Sequence, residues 1–233
     1  MGRYVAEAFA RNGHDLLLIA SDYRDLEATA NDLCLRFGVR VEPCACQVGA
    51  DKDWLNSLTN RIRTFGVLDA LMFPIGASSE DDQGFLGLDE TRRLVETNFL
   101  AVVATVSFAL PNMLRGGKGV IAGFGSVASA RGRSRNVVYS AAKRALESYF
   151  ESLRHLTVGS GVRIQYFHLG YLNTQQAFGR RLLFPLADPS IVAQKIAVGV
   201  TGREGVFYIP WYWRWVVFAL RLVPWFLYKR LSF

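Results

Sequence analysis

The chain has 233 residues, 51% of them hydrophobic and 20% charged. A composition this apolar excludes a disordered, collagen-like or coiled-coil protein and fits one substantial α/β domain. The net charge is +7, and four of those charges lie in residues 205–233, which contain no acid, leaving +3 for the rest. Charge concentrated in this way points to an anionic membrane surface as partner and away from nucleic acid.

The first residues carry Glu7 and no apolar run of signal-peptide length, and Ala6 stands where a myristoylation motif requires Ser or Thr. Cys34, Cys44 and Cys46 have neither zinc nor redox spacing and read as reduced thiols of a cytosolic protein. Residues 3–11 have helical spacing and stop at Asn12-Gly13. The short apolar run 16–20 is predicted as a strand buried on both faces. Helix 22–37, strand 39–45, helix 51–65 and strand 68–73 follow, with glycines at the joints. Such alternation predicts a doubly wound parallel sheet, with helices on both faces.

The pattern continues with helix 89–114, strand 119–124, helix 136–156, strand 162–168, helix 189–200 and strand 205–209. Within it, residues 97–114 form an uncharged run of 18, formally long enough to span a bilayer. Asn98, Thr105, Ser107, Pro111 and Asn112 interrupt that run, and a buried or dimer-facing helix has the same composition. The expected organisation is one domain over residues 1–209, followed by an aromatic, basic segment over residues 210–233.

Tyr139 and Lys143 stand four apart on a predicted helix and share a face. An ammonium beside a phenol favours the phenolate and lowers a pKa that starts at about 10. Tyr139 is therefore a candidate general acid or base for interconverting an alcohol and a carbonyl. The same pair also occurs on ordinary solvated helix faces, but of nine tyrosines only Tyr139 has a lysine four residues on. Ser126 ends a strand at the carboxyl edge of the sheet, where ligands bind in open α/β folds. Asn98 sits inside a helix, an unfavourable place unless its side chain has a task.

In order and spacing, Asn98, Ser126, Tyr139 and Lys143 resemble the catalytic tetrad of the short-chain dehydrogenase/reductases, a Rossmann-like family. The resemblance covers essentially the whole chain and implies an NAD(P)-dependent oxidoreductase acting on CH–OH and C=O groups. By it, Tyr139 exchanges the proton, Lys143 lowers its pKa and holds the nicotinamide ribose, Ser126 orients the substrate oxygen, and Asn98 holds a relay water. Residues 169–174 resemble the family's PGxVxT loop, which sets Gly170, Leu172 and Thr174 beside the nicotinamide; Leu169 replaces the usual proline. Of the TGxxxGxG fingerprint only Gly2 has a counterpart, and the strand before it has none. Either the start is assigned late by about 15 to 20 residues, the favoured reading, or this form binds cofactor weakly. Ser21 and Asp22 stand where NAD is distinguished from NADP and leave that choice open. Asp22 and Arg24 are equally ordinary first-turn helix charges. Gln47 and Val48 occupy the adenine positions, and Gly76 is what remains of the NNAG motif. No metal is expected.

Residues 205–233 contain eleven aromatic residues, including four of the five tryptophans. Arg221 and Pro224 break the run, so it suits the headgroup boundary of a membrane better than a span. A subunit interface or lid is the other reading. The segment also resembles the end of the decaprenylphosphoryl-2-keto-erythro-pentose reductases, a subgroup of the same family. There too the NNAG motif is eroded and arginines lie between the serine and the tyrosine, as Arg131, Arg133 and Arg135 do here. That resemblance implies reduction of a lipid-linked keto sugar for cell-wall arabinan, at the cytoplasmic face of the inner membrane. A flavin oxidase and further copies of the chain are the implied protein partners. The three arginines would hold the substrate phosphate, or form a solvated loop. The alternatives are reduction of a 3-ketoacyl or ketosphingoid lipid, and a cofactor-impaired, non-catalytic membrane-associated protein.

Overall fold

The structure, a computed structural model, describes residues 1–48, 53–173 and 184–230. Helix α1 (Gly2–Arg11) is followed by β1 (Leu16–Ala20), α2 (Tyr23–Phe37), β2 (Val41–Ala45), α3 (Trp54–Phe65) and β3 (Ala70–Phe73). Next come α4 (Leu88–Val95), α5 (Ala101–Gly116), β4 (Gly119–Ser126), α6 (Val137–Leu156), β5 (Val162–Leu169), α7 (Pro189–Val200) and β6 (Gly205–Ile209). The tail adds α8 (Trp213–Leu222) and α9 (Trp225–Tyr228). Every pairing between these strands is parallel, as βα alternation requires.

Both faces of the sheet are covered. On one, Phe9 of α1 and Val192 and Ile196 of α7 pack on Val120, Phe124 and Phe167. On the other, Val102 and Val106 of α5 and Leu146 and Phe150 of α6 meet Ile121 and Ile164. Gly123 permits the second packing, because a Cβ there would lie 2.6 Å from the Phe150 ring. The expected doubly wound, Rossmann-like arrangement is the one observed.

The sheet is in two parts. β1 pairs with β2, Leu16 opposite Val41, and the other four strands run in the order β3-β4-β5-β6. A cleft of ≈ 1570 Å³ separates them, with Leu16 and Leu18 on one wall and Ala70 and Met72 on the other. The expectation that β1 is buried on both faces is therefore corrected. Leu16, Leu17 and Leu18 are half-buried and Ile19 and Ala20 exposed, because among the described residues no strand adjoins the edge facing β3.

Other expectations shift by shorter stretches. Strand 39–45 begins at Val41, strand 119–124 runs on to Ser126, and helix 89–114 is interrupted by a π turn over Glu96–Leu100. Leu88–Gly116 is long and apolar enough to cross a membrane, but its Val102, Val106 and Ala109 are buried in the core. Cys34 is half-buried, and Cys44 and Cys46 are buried.

Candidate active site

β4 carries Ser126 to the carboxyl edge of the sheet, and a 3-10 turn over Val127–Ala130 follows at once. The Ser126 hydroxyl accepts from the amide of Ala128 at 3.1 Å and acts to lower the pKa of the Tyr139 phenol. Tyr139 and Lys143 lie on the first two turns of α6. Lys143 is 3% exposed, and its Nζ donates to the carbonyls of Ile75 at 2.8 Å and Phe124 at 3.1 Å.

Asn98 is wholly buried in the π turn. Its Nδ2 donates to the carbonyls of Ala77 and Leu94, each at 2.8 Å, and its Oδ1 accepts from the Ala77 amide at 3.2 Å. Capture of the Leu94 carbonyl by a side chain accounts for the local widening of the helix. Gly76 stands between the two groups: a Cβ there would lie 3.4 Å from Asn98 Oδ1 and 3.6 Å from Lys143 Nζ. The structure thus gathers all four tetrad candidates near the carboxyl ends of β3 and β4.

Their electrostatics differ from the expectation. Burial pushes the Tyr139 phenol up, and the opposing influences are the Ser126 hydroxyl and the positive charge of Arg133. The Lys143 ammonium is committed to two carbonyls, and burial lowers its own pKa to about 8.

Spacing did not reveal Asp82, in the loop between β3 and α4. Its carboxylate accepts from the amides of Val138 and Tyr139, and its carbonyl from those of Asn136 and Val137. Nothing in the sequence singles it out from Glu80 and Asp81 beside it. Glu147, one turn after Lys143, was missed as well. It meets Arg221 of α8 at 2.9 Å and the buried His168 at 3.5 Å. Burial alone would raise its carboxyl; the bonds to His168 and Arg221 outweigh that and hold it at about 2.

Of the proposed cofactor residues, Gly2, Ser21, Gln47, Val48 and Gly76 line the cleft between β1 and β3. Asp22 caps α2, accepting from the Asp25 amide at 3.2 Å, in keeping with the reading of it as an ordinary helix charge. The Gly170 amide donates to Ile209 at 2.9 Å, and the Trp213 indole leaves no room for a Cβ at that glycine. Leu172 packs partly buried against the core, and Thr174 lies outside the described residues.

Arg131 and Arg133 line one pocket, but Arg131 is held by backbone carbonyls. Its Nη1 donates to the carbonyls of Leu220, at 3.0 Å, and Val223, and its guanidinium lies 4.0 Å over the Tyr228 ring. Orphan carbonyls at the end of α8 claim it first. Arg133 faces a pocket of ≈ 570 Å³ shared with Trp225, Tyr228 and Lys229, and Arg135 is exposed.

A model of the family described as short chain dehydrogenase matches residues 1–181. An uncharacterized oxidoreductase of Myxococcus xanthus (strain DK1622) is 27% identical over 216 residues, which span 91% of this chain and 83% of its own. Human 3-oxoacyl-[acyl-carrier-protein] reductase is 27% identical over 177 residues, 75% of this chain and 72% of that one. A short-chain dehydrogenase from Sphingobium yanoikuyae, solved in complex with NADPH, superposes with a TM-score of 0.83 at 24% identity, covering 93% of this chain and 87% of that chain.

Proposed function

Because the chain belongs to the short-chain dehydrogenase family and is an NAD(P)-dependent oxidoreductase, we propose that it reduces the ketone of a lipid-linked substrate, with Tyr139 as proton donor. What carries this reading is the convergence of Ser126, Tyr139, Lys143 and Asn98 near the carboxyl ends of β3 and β4, with Gly76 beside Asn98 and Lys143.

The residues present fit a dinucleotide. α1 begins at the cleft with no acid in its first turn, so its positive end can meet a pyrophosphate at Gly2. Ser21 and Asp22 would adjoin the adenosine ribose, Gln47 and Val48 the adenine, and Gly170, Leu172 and Thr174 the nicotinamide side. When bound, the dinucleotide supplies the hydride. Two of the three Lys143 N–H groups are held by Ile75 and Phe124, leaving the third for the ribose. Ser126 and Tyr139 donate to the ketone oxygen, and the Tyr139 proton passes to that oxygen as it becomes an alcohol. Burial keeps the phenol protonated at neutral pH, the state a reductase needs. Asn98 Oδ1 retains a lone pair for a relay water.

The lipid part of the reading rests on residues 210–233 as a membrane-surface segment, whose outward aromatics are accompanied by Arg214, Lys229 and Arg230. With Arg131 committed to α8, a substrate phosphate falls to Arg133, whose charge acts on Tyr139, and to Arg135 on the same loop. A polyprenyl-phosphoryl-2-keto-pentose made by a flavin oxidase is the finer form of the proposal, at work on the cytoplasmic face of the inner membrane, in a homo-oligomer. Similarity to the human 3-oxoacyl reductase favours a second reading, a 3-ketoacyl lipid.

The test supplies NADH or NADPH with either a polyprenyl-phosphoryl keto-pentose or a 3-oxoacyl thioester. Tyr139→Phe should lower kcat by about 100- to 10,000-fold and leave dinucleotide binding intact. Full turnover by that variant would remove Tyr139 from its role. Failure of wild type on both substrates would end the lipid-ketone reading.

A further inference from the structure

We propose that Asp82 positions the general acid by holding the start of α6, an inference that rests on the reading of Tyr139 as proton donor. A helix opens with N–H groups that none of its own carbonyls can accept. In α6 these belong to Asn136, Val137, Val138 and Tyr139, and all four end on one residue. The Asp82 carbonyl accepts from Asn136 at 2.6 Å and from Val137 at 3.4 Å. Its Oδ1 accepts from Val138 and its Oδ2 from Tyr139, each at 2.9 Å.

The helix has no cap of its own. Asn136 stands at the cap position in the left-handed conformation, φ 55°, and its side chain makes no capping bond. Asp82 is 1% exposed. A carboxylate buried so deeply is tolerable only where strong donors meet both oxygens, and two backbone amides at the positive end of a helix meet that need.

The same loop touches α6 again where Lys143 donates to the Ile75 carbonyl. Tyr139 and Lys143 thus lie between two anchor points on a single segment, residues 75–82. Asp82 reaches no reacting atom. It fixes the backbone from which the Tyr139 ring extends toward Ser126, and is a positioning residue.

Asp82→Asn keeps one acceptor and loses the charge; Asp82→Ala loses both oxygens. With NADPH and ethyl acetoacetate as the probe ketone, kcat should fall about tenfold in the first variant and about 100-fold in the second. KM and Kd for NADPH should stay within about twofold of wild type. Amide exchange supplies a readout that needs no turnover. In wild type the amides of residues 136–139 should exchange as slowly as the helix interior, although first-turn amides ordinarily have no partner. In the variants they should exchange faster while residues 146–153 keep their protection.

A parallel rise in KM for NADPH, or a loss of kcat no larger than the loss of folded protein, would reduce Asp82 to a general structural role and overturn the proposal. So would first-turn exchange unchanged in Asp82→Ala. If that variant does not fold, rapid exchange at Val138 and Tyr139 in wild type, or an unaltered Asp82→Asn, overturns it equally. Should wild type reduce no ketone, the functional reading falls, and the exchange result still decides whether Asp82 holds Tyr139.

Discussion

Lys143 carries a charge in an almost closed space, and its proton affinity registers the strain of that placement. Burial lowers the pKa from an ordinary 10.5 to about 8. Below about pH 8 both the folded and the unfolded chain hold the proton, and the cost of burying the ammonium is fully present. Between about pH 8 and pH 10.5 the unfolded chain binds more protons, so the contribution of this residue to stability rises with pH across that window. Urea denaturation at about pH 7 and about pH 10 should therefore show wild type gaining stability relative to Lys143→Met as pH rises. Parallel behaviour of the two would mean that the ammonium is not desolvated. Tyr139 and Lys143 were legible because four residues is one helical turn, so sequence spacing equals spatial proximity. Asp82 was not, because its partners are backbone amides 56 and 57 positions away, and an amide leaves no mark in a sequence. Arg131 misled for the mirror-image reason, its partners being carbonyls.

Among the elements, α8 is an amphipathic helix whose apolar side faces both ways. Trp213 and Val217 turn inward onto Val127 and Ala130 beside Ser126. Trp211, Trp215, Phe218 and Leu222, spaced four, three and four apart, point outward, and Trp225, Phe226 and Leu227 extend the exposed surface along α9. These seven are 46–73% exposed. The sequence displayed the aromatic density but not its division into two faces, since every position of the helix is apolar or basic. The inner face is fastened by Arg131, by Arg221 on Glu147 and by the Tyr228 hydroxyl, which donates to Gly132 at 2.7 Å. Removing the segment would therefore strip the core as well as the surface. Replacing Trp215, Phe218 and Phe226 together by serine leaves the inner face alone. That triple variant should keep its Tm and lose binding to phosphatidylglycerol vesicles by at least about 100-fold, since each ring brought into the interface contributes about 1.5 kcal/mol or more. Undiminished sedimentation with vesicles would refute the membrane assignment.

At the scale of the molecule, the alternation of apolar runs and helices made the layered fold readable. How the two half-sheets hold together was not readable, because it depends on packing between distant segments. α1 does much of that work: Ala6 and Ala10 pack with Ala30, Leu33 and Val41, while Val5 and Phe9 belong to the main core. α3 and α5 add a second link through Leu58, Ile62 and Phe108. With no backbone pairing between the halves among the described residues, β1 and β2 should open sub-globally at a lower free energy than β4 and β5. Native-state exchange should show amides of Val41–Ala45 released well before those of Val162–Leu169, and a single common opening would contradict it.

The edges of β1 and β3 that border the cleft are both uncharged and without proline. Leu16–Ala20 is a run of five uncharged residues without proline, a composition prone to edge pairing. If the β1 edge of one copy met the β3 edge of the next, the contact would be head-to-tail, giving a ring where the rotation between copies closes and an open filament where it does not. Self-association by that route would be of a different kind from a symmetric enzyme oligomer and from adsorption to a fluid bilayer.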